Sequence, residues 1–361
     1  MEGLELSEVF FLPSEKAAIP RRVMSRLLEE LVVEELFSGC ELVAIKVHIG
    51  ERGNTTYVHP SYVAAAVGWL RERGFKVFVT DTTTLYVGPR HTAIGCMEVA
   101  AENGFTLEAL GAPFIVADGL KGEDGVIYRC EWIEGHVVEI ARAFYEADAI
   151  LVISHGKGHG MSGFGGAVKN LGMGCVTKVT KKYQHSPYRP YLAFPELCTG
   201  CGECVKVCAQ KAVVLVGGKP VFRYEQCISC GGCVVRCPAK ALAVPEDAIY
   251  EFNVRLGRVA AAVVDAFRKW RKPVAYINVA EQITKLCDCV PKPNEIVARD
   301  VGFLASTDPV AVDCASIDLI EENMYPEYGG FEGLNGVDPK LHLREASSKG
   351  AGEMEYRLVK L

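Results

Sequence analysis

The sequence predicts an α/β protein with a mixed or mainly parallel sheet, interrupted by a small inserted α+β domain. Apolar runs typical of buried strands alternate with helical stretches from the N-terminus to about residue 155. Two cysteine runs then break this pattern, and the alternation resumes after residue 250. Because domains tolerate insertions where chain ends lie close together at the surface, we predict a first α/β part over 1–187, an insertion over 188–250 and a second α/β part over 251–361.

The first α/β part contains five short apolar runs and four stretches with helical spacing. The runs predict strands at residues 5–12, 41–47, 75–81, 113–118 and 149–154. The helical stretches lie at residues 20–37, 61–73, 93–103 and 137–147. Pro20 stands where helices favour a first-turn proline, and Gly39 and Gly74 follow two helices as end signals. Residues 155–187 are rich in glycine and are predicted to be loop.

The second α/β part begins with an amphipathic stretch at residues 252–270, which predicts a long helix. Strands are predicted at 272–280 and 295–305, followed by a helix at 308–323. A piece of this size that resumes the earlier alternation is better explained as the second half of the first domain than as a separate fold.

Composition excludes several classes of function. The chain has 361 residues, 49% of them hydrophobic and 23% charged, with a formal net charge of −6. The negative charge argues against a nucleic-acid partner. We expect no secretory signal at the N-terminus, and no apolar run approaches the roughly 18 residues of a membrane span. Without a signal peptide, fifteen cysteines favour metal ligation in a reducing compartment. We therefore predict a cytoplasmic protein.

Two cysteine runs, each spaced C-x2-C-x2-C-x3-C, form an internal repeat in which the second starts 29 positions after the first. This spacing matches the bacterial ferredoxin run, which holds two 4Fe-4S clusters and sends its fourth cysteine to the other cluster. Zinc sites usually show separated cysteine pairs, and disulfides would imply secretion. The predicted ligands are Cys198, Cys201, Cys204 and Cys237 for cluster one and Cys227, Cys230, Cys233 and Cys208 for cluster two. Ala209 replaces the proline that usually ends such a run and that Pro238 supplies in the second run.

A second group of chemically active residues lies between 154 and 185, just after a predicted buried strand. Ligands of open α/β sheets bind at such strand ends. Glycines there, including Gly165 and Gly166, could expose backbone N–H groups to an anion or cofactor. The alternative is a mobile surface loop with solvated lysines. The candidate residues of this stretch are His155, Lys157, His159, Lys169, Asn170, Lys178, Lys181, Lys182 and His185.

Weaker candidates follow other predicted strands, and each of them alone is more often a cap or turn residue. They are His48, Glu51 and Arg52 after the second strand, Asp81 with Thr82, Thr83 and Thr84 after the third, and Asp118 after the fourth. Cys287 and Cys289 are separated by one residue, so in an extended strand their thiols would point to opposite sides and would rarely ligate one metal. Both are more often buried or loop cysteines. Cys175 could be a ligand or a small buried residue.

The sequence resembles the domain-of-unknown-function family numbered 362, in its form with an inserted two-cluster ferredoxin module. The resemblance lies in IKVHIGERGNTTYVHP, VTDTTTLYVGPRHTA, GAPFIVADGL, GHGMSGFGGAVKNLGMGC, the cysteine runs, INVAEQITKLCDCVP and DVGFLASTDPVAVDCASID. It implies 4Fe-4S clusters on the eight cysteines, and members look like redox proteins of anaerobic metabolism. A local likeness to nickel-pincer lactate racemases covers Gly-Gly-x-x-Lys, which ends here at Lys169, and a His sixteen residues on, here His185.

Our leading prediction is an iron–sulfur oxidoreductase or electron carrier that exchanges electrons with a soluble partner protein. A small anionic substrate would react at a rim formed by His48, His155, His159, Lys169 and His185, with Gly165, Gly166 and Asn170 at the cofactor. One alternative is an epimerase or racemase of a small hydroxy acid, with a further metal or metallocofactor on Lys169 and His185. Another is a maturation protein that donates clusters to a client.

Overall fold

A computed structural model describes residues 6–16, 19–135 and 137–361. Its centre is an eight-stranded sheet in the order β16-β1-β15-β14-β7-β2-β3-β4. The strands of the chain are β1 Ser7–Pro13, β2 Leu42–Val47, β3 Lys76–Asp81, β4 Phe114–Val116, β5 Gly125–Arg129, β6 Val137–Ala141, β7 Ala149–His155, β8 Lys157–His159, β9 Gly163–Gly165, β10 Tyr191–Leu192, β11 Val213–Val216, β12 Lys219–Phe222, β13 Leu242–Ala243, β14 Val274–Ala280, β15 Gly302–Ser306 and β16 Tyr356–Lys360.

Most neighbours in the large sheet are parallel. The block β4, β3, β2, β7 and β14 is parallel throughout, and β15 runs antiparallel to both β14 and β1. The prediction of an α/β fold with a mixed, mainly parallel sheet is confirmed. Since parallel strands end at the same edge, the residues that follow β2, β3, β7 and β14 meet on one side of the sheet.

Helices cover both faces of the sheet. They are α1 Pro20–Glu30, α2 Val33–Leu36, α3 Pro60–Glu72, α4 Ala93–Glu102, α5 Leu107–Leu110, α6 Arg142–Glu146, α7 Ala167–Gly174, α8 Lys178–His185, α9 Glu203–Lys206, α10 Gly232–Val235, α11 Ala248–Lys269, α12 Pro309–Glu322, α13 Gly330–Asn335 and α14 Leu341–Ser348. One core packs α1, α3 and α4 against the sheet, and the other packs α7, α11, α12 and α14. Side chains of β7 alternate between the two cores, as the two-residue period of a strand requires.

Several predicted segments fold differently from expectation. The helix predicted at 20–37 is divided into α1 and α2, and only the end of the strand predicted at 295–305 forms β15. Residues 137–147 do not form one helix, because β6 pairs with β5 as a hairpin before the short helix α6 begins. In β6, Val137 is exposed while Val138 and Ile140 are buried, which is the period of a strand. The glycine-rich region 155–187 is also more ordered than predicted, since it contains the hairpin β8–β9 and the helices α7 and α8.

The segment 188–250 carries the cysteine runs and builds a core of its own. Its first strand β10 pairs with its last strand β13, and β11 and β12 form a hairpin between them. Helices α9 and α10 repeat the same position in the two runs, each preceded by a glycine at positive φ. The small core includes Cys204, Cys233, Val213 and Leu242. Its assignment as an inserted ferredoxin-like domain stays a prediction.

In the part of the chain that the structure describes, no helix combines the length and the apolar character needed to cross a bilayer.

Candidate functional site

A cavity of about 410 Å³ lies where the parallel strands end. One wall comes from the sheet edge and the helices α7 and α8, and the other comes from Ile228, Ser229 and Cys230 of the cysteine-rich segment. Its polar and charged lining residues are Lys46, His48, Asp81, Thr82, Thr83, Thr84, Tyr86, Arg90, His159, Lys169, Asn170, Lys181, His185, Ser229, Cys230 and Cys289. The volume is within the range of small-molecule sites.

Lys46 and Asp81 form a buried ion pair at the floor of the cavity. The Lys46 Nζ atom lies 3.0 Å from Asp81 Oδ1 and donates to Asn170 Oδ1 at 2.6 Å. The Asn170 amide in turn donates to Ser154 Oγ at 3.0 Å, which ties α7 to the end of β7. A charge buried this deeply must be paired, and Asp81 neutralises this lysine.

Arg90 is buried in a second network on the same wall. Its Nε atom lies 3.2 Å from Glu51 Oε2, its NH2 group donates to the Tyr86 hydroxyl at 2.7 Å, and its NH1 group is 3.6 Å from Asp81 Oδ2. The Tyr86 hydroxyl donates to Glu51 Oε2 at 3.0 Å, which closes the network. The guanidinium is held rigidly in place and faces the cavity.

Lys181 also reaches the cavity with its charge engaged. Its amine donates to Thr82 Oγ1 at 2.8 Å and to the Thr83 carbonyl, and it lies 3.7 Å from Asp118 Oδ2. Asp118 accepts from the Thr83 hydroxyl at 2.8 Å and therefore stands behind the lining. Arg52, in contrast, forms surface ion pairs with acids of α4 and is not part of the cavity wall.

Lys169 differs from the other cavity cations because its amine makes no hydrogen bond or ion pair with any residue that the structure describes. Burial and, to a smaller extent, the neighbouring Lys157 lower the pKa of Lys169 to about 7, while Asp288 opposes the shift. A lysine of this kind is partly neutral near pH 7, so its amine could act as a base or a nucleophile as well as bind an anion.

His159 and His185 reach the same cavity with opposite tautomers. The Nδ1 atom of His159 accepts from the backbone N–H groups of Met161 at 3.2 Å and Ser162 at 3.1 Å, so Nε2 carries its proton. The Nδ1–H of His185 donates to the Lys181 carbonyl at 2.8 Å, which leaves Nε2 as a lone pair. Burial lowers the pKa of His159 well below its ordinary value and that of His185 to about 4. Both imidazoles are therefore neutral near pH 7, one a donor and one an acceptor or ligand.

His48 follows β2 and approaches two sulfur atoms. Its ring nitrogens and the thiols of Cys287 and Cys289 place ligand atoms within 4.8 Å of one another. The two cysteines are bonded as a disulfide in the structure. They lie in a turn, in which Val290 N–H donates to the Cys287 carbonyl at 3.1 Å. The expectation that their thiols point to opposite sides is therefore wrong, because it assumed an extended strand.

His155 lies at the end of β7 but is not part of the cavity wall. Its Nδ1 atom is 3.0 Å from Asp288 Oδ1 and its Nε2 is 2.9 Å from the Glu281 carbonyl. Asp288 also pairs with Lys157 at 3.2 Å. Burial alone would raise the pKa of Asp288, but His155 and Lys157 hold it below its usual value. This triad supports the 287–290 turn.

Three of the remaining sequence candidates have clear positions. Asn170 lines the cavity, but Gly165 and Gly166 are not among its lining residues. The N–H groups of Ala167 and Val168 at the start of α7 donate to Asp313, at 2.7 and 2.9 Å, and so are already satisfied. The predicted catalytic and cofactor-binding roles of these residues stay predictions.

Two groups of thiols form within the cysteine-rich segment. Cys198, Cys201, Cys204 and Cys237 surround one small void. Burial and the neighbouring thiols Cys230, Cys227 and Cys208 raise the pKa of Cys233 to about 12, which places those four cysteines together. Within the described ranges neither group is close enough to hold a single ion at one point.

Sequence reasoning missed some cavity residues and undervalued others. Lys46 lies within a run that predicts a buried apolar strand, and a lone lysine in such a run signals a buried partner. Arg90 lies between predicted elements, and nothing in its local sequence distinguishes it from a solvated arginine. Phe252, which packs on His185 with ring centroids 5.1 Å apart, comes from α11 and could not be assigned to the site without the fold.

The structure is that of an α/β protein with a cavity lined by lysine, arginine and histidine side chains beside a cysteine-rich segment. The chain belongs to the family described as Domain of unknown function (DUF362), whose model matches residues 43–318. The resemblance to this family is thereby confirmed, whereas its form with an inserted two-cluster ferredoxin module stays a prediction. Among curated proteins, the comparison finds no match.

Two solved structures are similar to the chain. The lactate racemase apoprotein from Thermoanaerobacterium thermosaccharolyticum is 12% identical, with a TM-score of 0.43, and the match covers 87% of this chain and 58% of that one. A structural-genomics protein from Thermotoga maritima is 12% identical, with a TM-score of 0.43 and coverages of 86% and 59%. The chain thus spans less than two thirds of either protein.

Proposed function

We propose that the protein is an iron–sulfur enzyme of the cytoplasm that acts on a small anionic molecule in the cavity. The observation that carries this proposal is the shared wall: Cys230, a predicted cluster ligand, lines the same cavity as Lys169 and His185. The cluster held by Cys230 and the substrate site at Lys169 and His185 would then be direct neighbours, with no other protein residues between them.

The eight cysteines fit two 4Fe-4S clusters. Their two groups follow the crossed pattern expected of a bacterial ferredoxin run, with Cys237 in the first group and Cys208 in the second. Backbone N–H groups point at sulfur in both halves, from Ala212 to Cys208 at 3.2 Å and from Ala241 to Cys237 at 3.3 Å. Such hydrogen bonds tune cluster potentials. When bound, the clusters would supply one-electron transfer between a soluble partner protein and the cavity.

The cavity residues supply the remaining chemistry. Lys46, Arg90 and Lys181 are each paired with an acid, so they offer hydrogen-bond donors to the cavity but no free charge. Lys169 would contact the anion directly, and the Nε2–H of His159 could donate to a second oxygen. Neutral His185 could accept a proton or ligate a metal through its free nitrogen.

The second candidate is an epimerase or racemase of a small hydroxy acid that depends on a metal or metallocofactor. Two features favour it. Burial lowers the pKa of the Lys169 amine to about 7, which suits a base that removes a proton beside a carboxylate. His48 also lies beside the sulfur atoms of Cys287 and Cys289, which could ligate a metal once their disulfide is reduced. This candidate rests on the donor set inside the cavity, which is more direct support than the position of Cys230. The maturation alternative has no comparable observation.

Metal analysis and two solution assays separate the candidates. After anaerobic reconstitution we expect about eight irons per chain, the content of two cubane clusters. If the protein transfers electrons, a 2-oxo acid added to the dithionite-reduced protein should abolish the paramagnetic signal of the clusters. If the protein is an epimerase, a 2-hydroxy acid in deuterated water should gain deuterium at its α-carbon, and the cluster signal should stay unchanged.

Lys169→Gln should abolish whichever activity is found, and Lys182→Gln provides the matched control. The Lys182 amine donates to the Glu225 carbonyl at 2.6 Å and lies outside the cavity wall. Iron content near zero after reconstitution would contradict the iron–sulfur proposal. Full activity in the Lys169 variant would contradict the placement of the substrate.

A further inference from the structure

The turn that starts at Cys287 presents two sulfur atoms to one histidine at the edge of the cavity. Cys289 lines the cavity with His48, and Cys287 is buried beneath them. The two sulfur atoms are bonded as a disulfide in the structure, and the Cys289 N–H donates to the Cys287 sulfur at 3.4 Å. These three residues are the one group with single-ion spacing in the ranges 6–16, 19–135 and 137–361.

The turn is anchored on every side, so its sulfur atoms are held in place. Asp288, between the two cysteines, is fixed by His155 and Lys157 beneath the cavity. The Asn294 side chain donates to the Cys287 carbonyl at 3.1 Å, and the Asn54 side chain donates to the Val290 carbonyl at 3.1 Å. Metal sites need this kind of outer support to orient their ligands.

The ligand forms of the three residues carry a combined charge that suits a divalent ion. Two thiolates and a neutral imidazole around a divalent ion give a complex without net charge, which suits a buried position.

His48 has one lone pair that a metal could take. Its Nδ1 atom lies 3.1 Å from the Gly50 N–H and its Nε2 atom lies 3.3 Å from the Arg90 guanidinium, and both neighbours are donors. A neutral ring has a single in-plane lone pair, so only one of these contacts is a hydrogen bond. A metal ion would take that lone pair in place of the hydrogen bond.

We propose that His48, Cys287 and Cys289 bind one soft divalent metal ion, with Zn²⁺ as the reference, and leave its fourth position facing the cavity. Sulfur and imidazole donors select such ions, and three protein ligands with an open position are the pattern of catalytic zinc sites. The site goes beyond the proposed function because it uses none of the eight cluster cysteines. It requires the reduced thiols, which can separate to the roughly 3.8 Å that Zn–S bonds of 2.3 Å imply.

Cobalt substitution tests this site in the full chain after iron–sulfur reconstitution and thiol reduction. One equivalent of Co²⁺ should bind and produce a sulfur-to-cobalt charge-transfer band. Cys289→Ser and Cys287→Ser should remove the band and weaken Co²⁺ binding by more than about 100-fold, beyond the 10–100-fold cost of losing an outer-shell partner. His48→Gln should shift the band and weaken binding.

Cys40→Ser is the matched control, since Cys40 lies near the Asp148 carbonyl and outside the cavity wall. Iron and sulfide contents should be the same in all variants, so failure of the metal site is distinguishable from failure of the clusters. Equal Co²⁺ binding by wild type and Cys289→Ser would overturn the proposal. So would a thiol assay showing that Cys287 and Cys289 remain disulfide-bonded under the reductant.

Discussion

Lys169 shows how the surroundings of one residue change its chemistry. The cavity wall contains three other lysine and arginine side chains, and each of them is paired with a buried acid. The Lys169 amine, in contrast, has no partner among the described residues. Burial lowers its pKa to about 7 from 10.5. The consequence is that the folded protein holds this amine at a free-energy cost, which a bound anion would relieve.

This cost predicts a pH-dependent effect of Lys169→Met on stability. Between pH 7 and 10.5 the unfolded chain keeps the Lys169 proton that the folded chain releases, so this residue's contribution to stability rises with pH across that window. Below about pH 7 the full cost of the buried charge is present. We expect the variant to melt at least about 2 °C above wild type at pH 7, with a smaller gain at pH 9.

The measurement is a pair of thermal melts at pH 7 and pH 9, with Lys182→Met as the control. Lys182 lies outside the cavity wall, so its variant should follow the wild-type pH dependence. A gain for Lys169→Met that is equal at both pH values, or that grows with pH, would show that this amine is not forced toward its neutral form.

At the scale of elements, the approach of α7 to β2 positions the floor of the cavity. Gly174 is the last residue of α7, and a Cβ atom there would lie 2.4 Å from Lys46 Cε and 2.6 Å from its Nζ. The absence of a side chain lets the buried lysine extend between Asp81 and Asn170. The glycine is needed for close packing and not for an unusual backbone angle.

We expect Gly174→Ala to destabilise the fold by about 1–3 kcal/mol, the usual cost of overpacking a rigid site. Gly160→Ala is the matched control from the same glycine-rich region, because its nearest contact would be Leu286 Cδ2 at an ordinary 3.8 Å. Its effect should stay within about 0.5 kcal/mol. Urea denaturation measures both. Equal stability of the two variants would mean that Lys46 can move aside freely.

The local sequence pattern predicts most helices and strands correctly but not all of them. The runs around Val43 and Leu151 predict β2 and β7 correctly because strands covered on both faces are apolar throughout. The strand β6 was missed because Val137–Ala141 also fits a helix when its hairpin partner is not considered. The helices α7 and α8 were missed because the glycines before them dominate the local composition.

At the scale of the molecule, strand order decides which predicted candidates meet. Since β2 lies between β7 and β3, the residues that follow these strands reach one cavity although they are far apart in sequence. The parallel strands made it predictable that these residues lie at a common edge. The position of His155 outside the cavity wall was not predictable, because it depends on Asp288. This residue follows β14 and turns the imidazole away from the cavity.

The cysteine-rich segment begins and ends at neighbouring positions, so we predict that it can be removed. Strands β10 and β13 pair Tyr191 with Ala243 and Leu192 with Leu242, so the two ends of the segment leave the α/β part side by side. Its own small core is separate from the two cores that cover the large sheet. Replacement of residues 188–250 by a short flexible linker should therefore leave a folded α/β protein, because both cores remain complete.

Circular dichroism and thermal unfolding test this prediction, with the full chain as the reference. We expect a soluble product with a cooperative melt and a lower midpoint, since removal of Ser229 and Cys230 exposes the cavity wall to water. An aggregated or non-cooperative product would show that the α/β part depends on the cysteine-rich segment. In a folded product, loss of iron together with retained Co²⁺ binding at His48, Cys287 and Cys289 would place the two proposed metal centres in separate parts of the molecule.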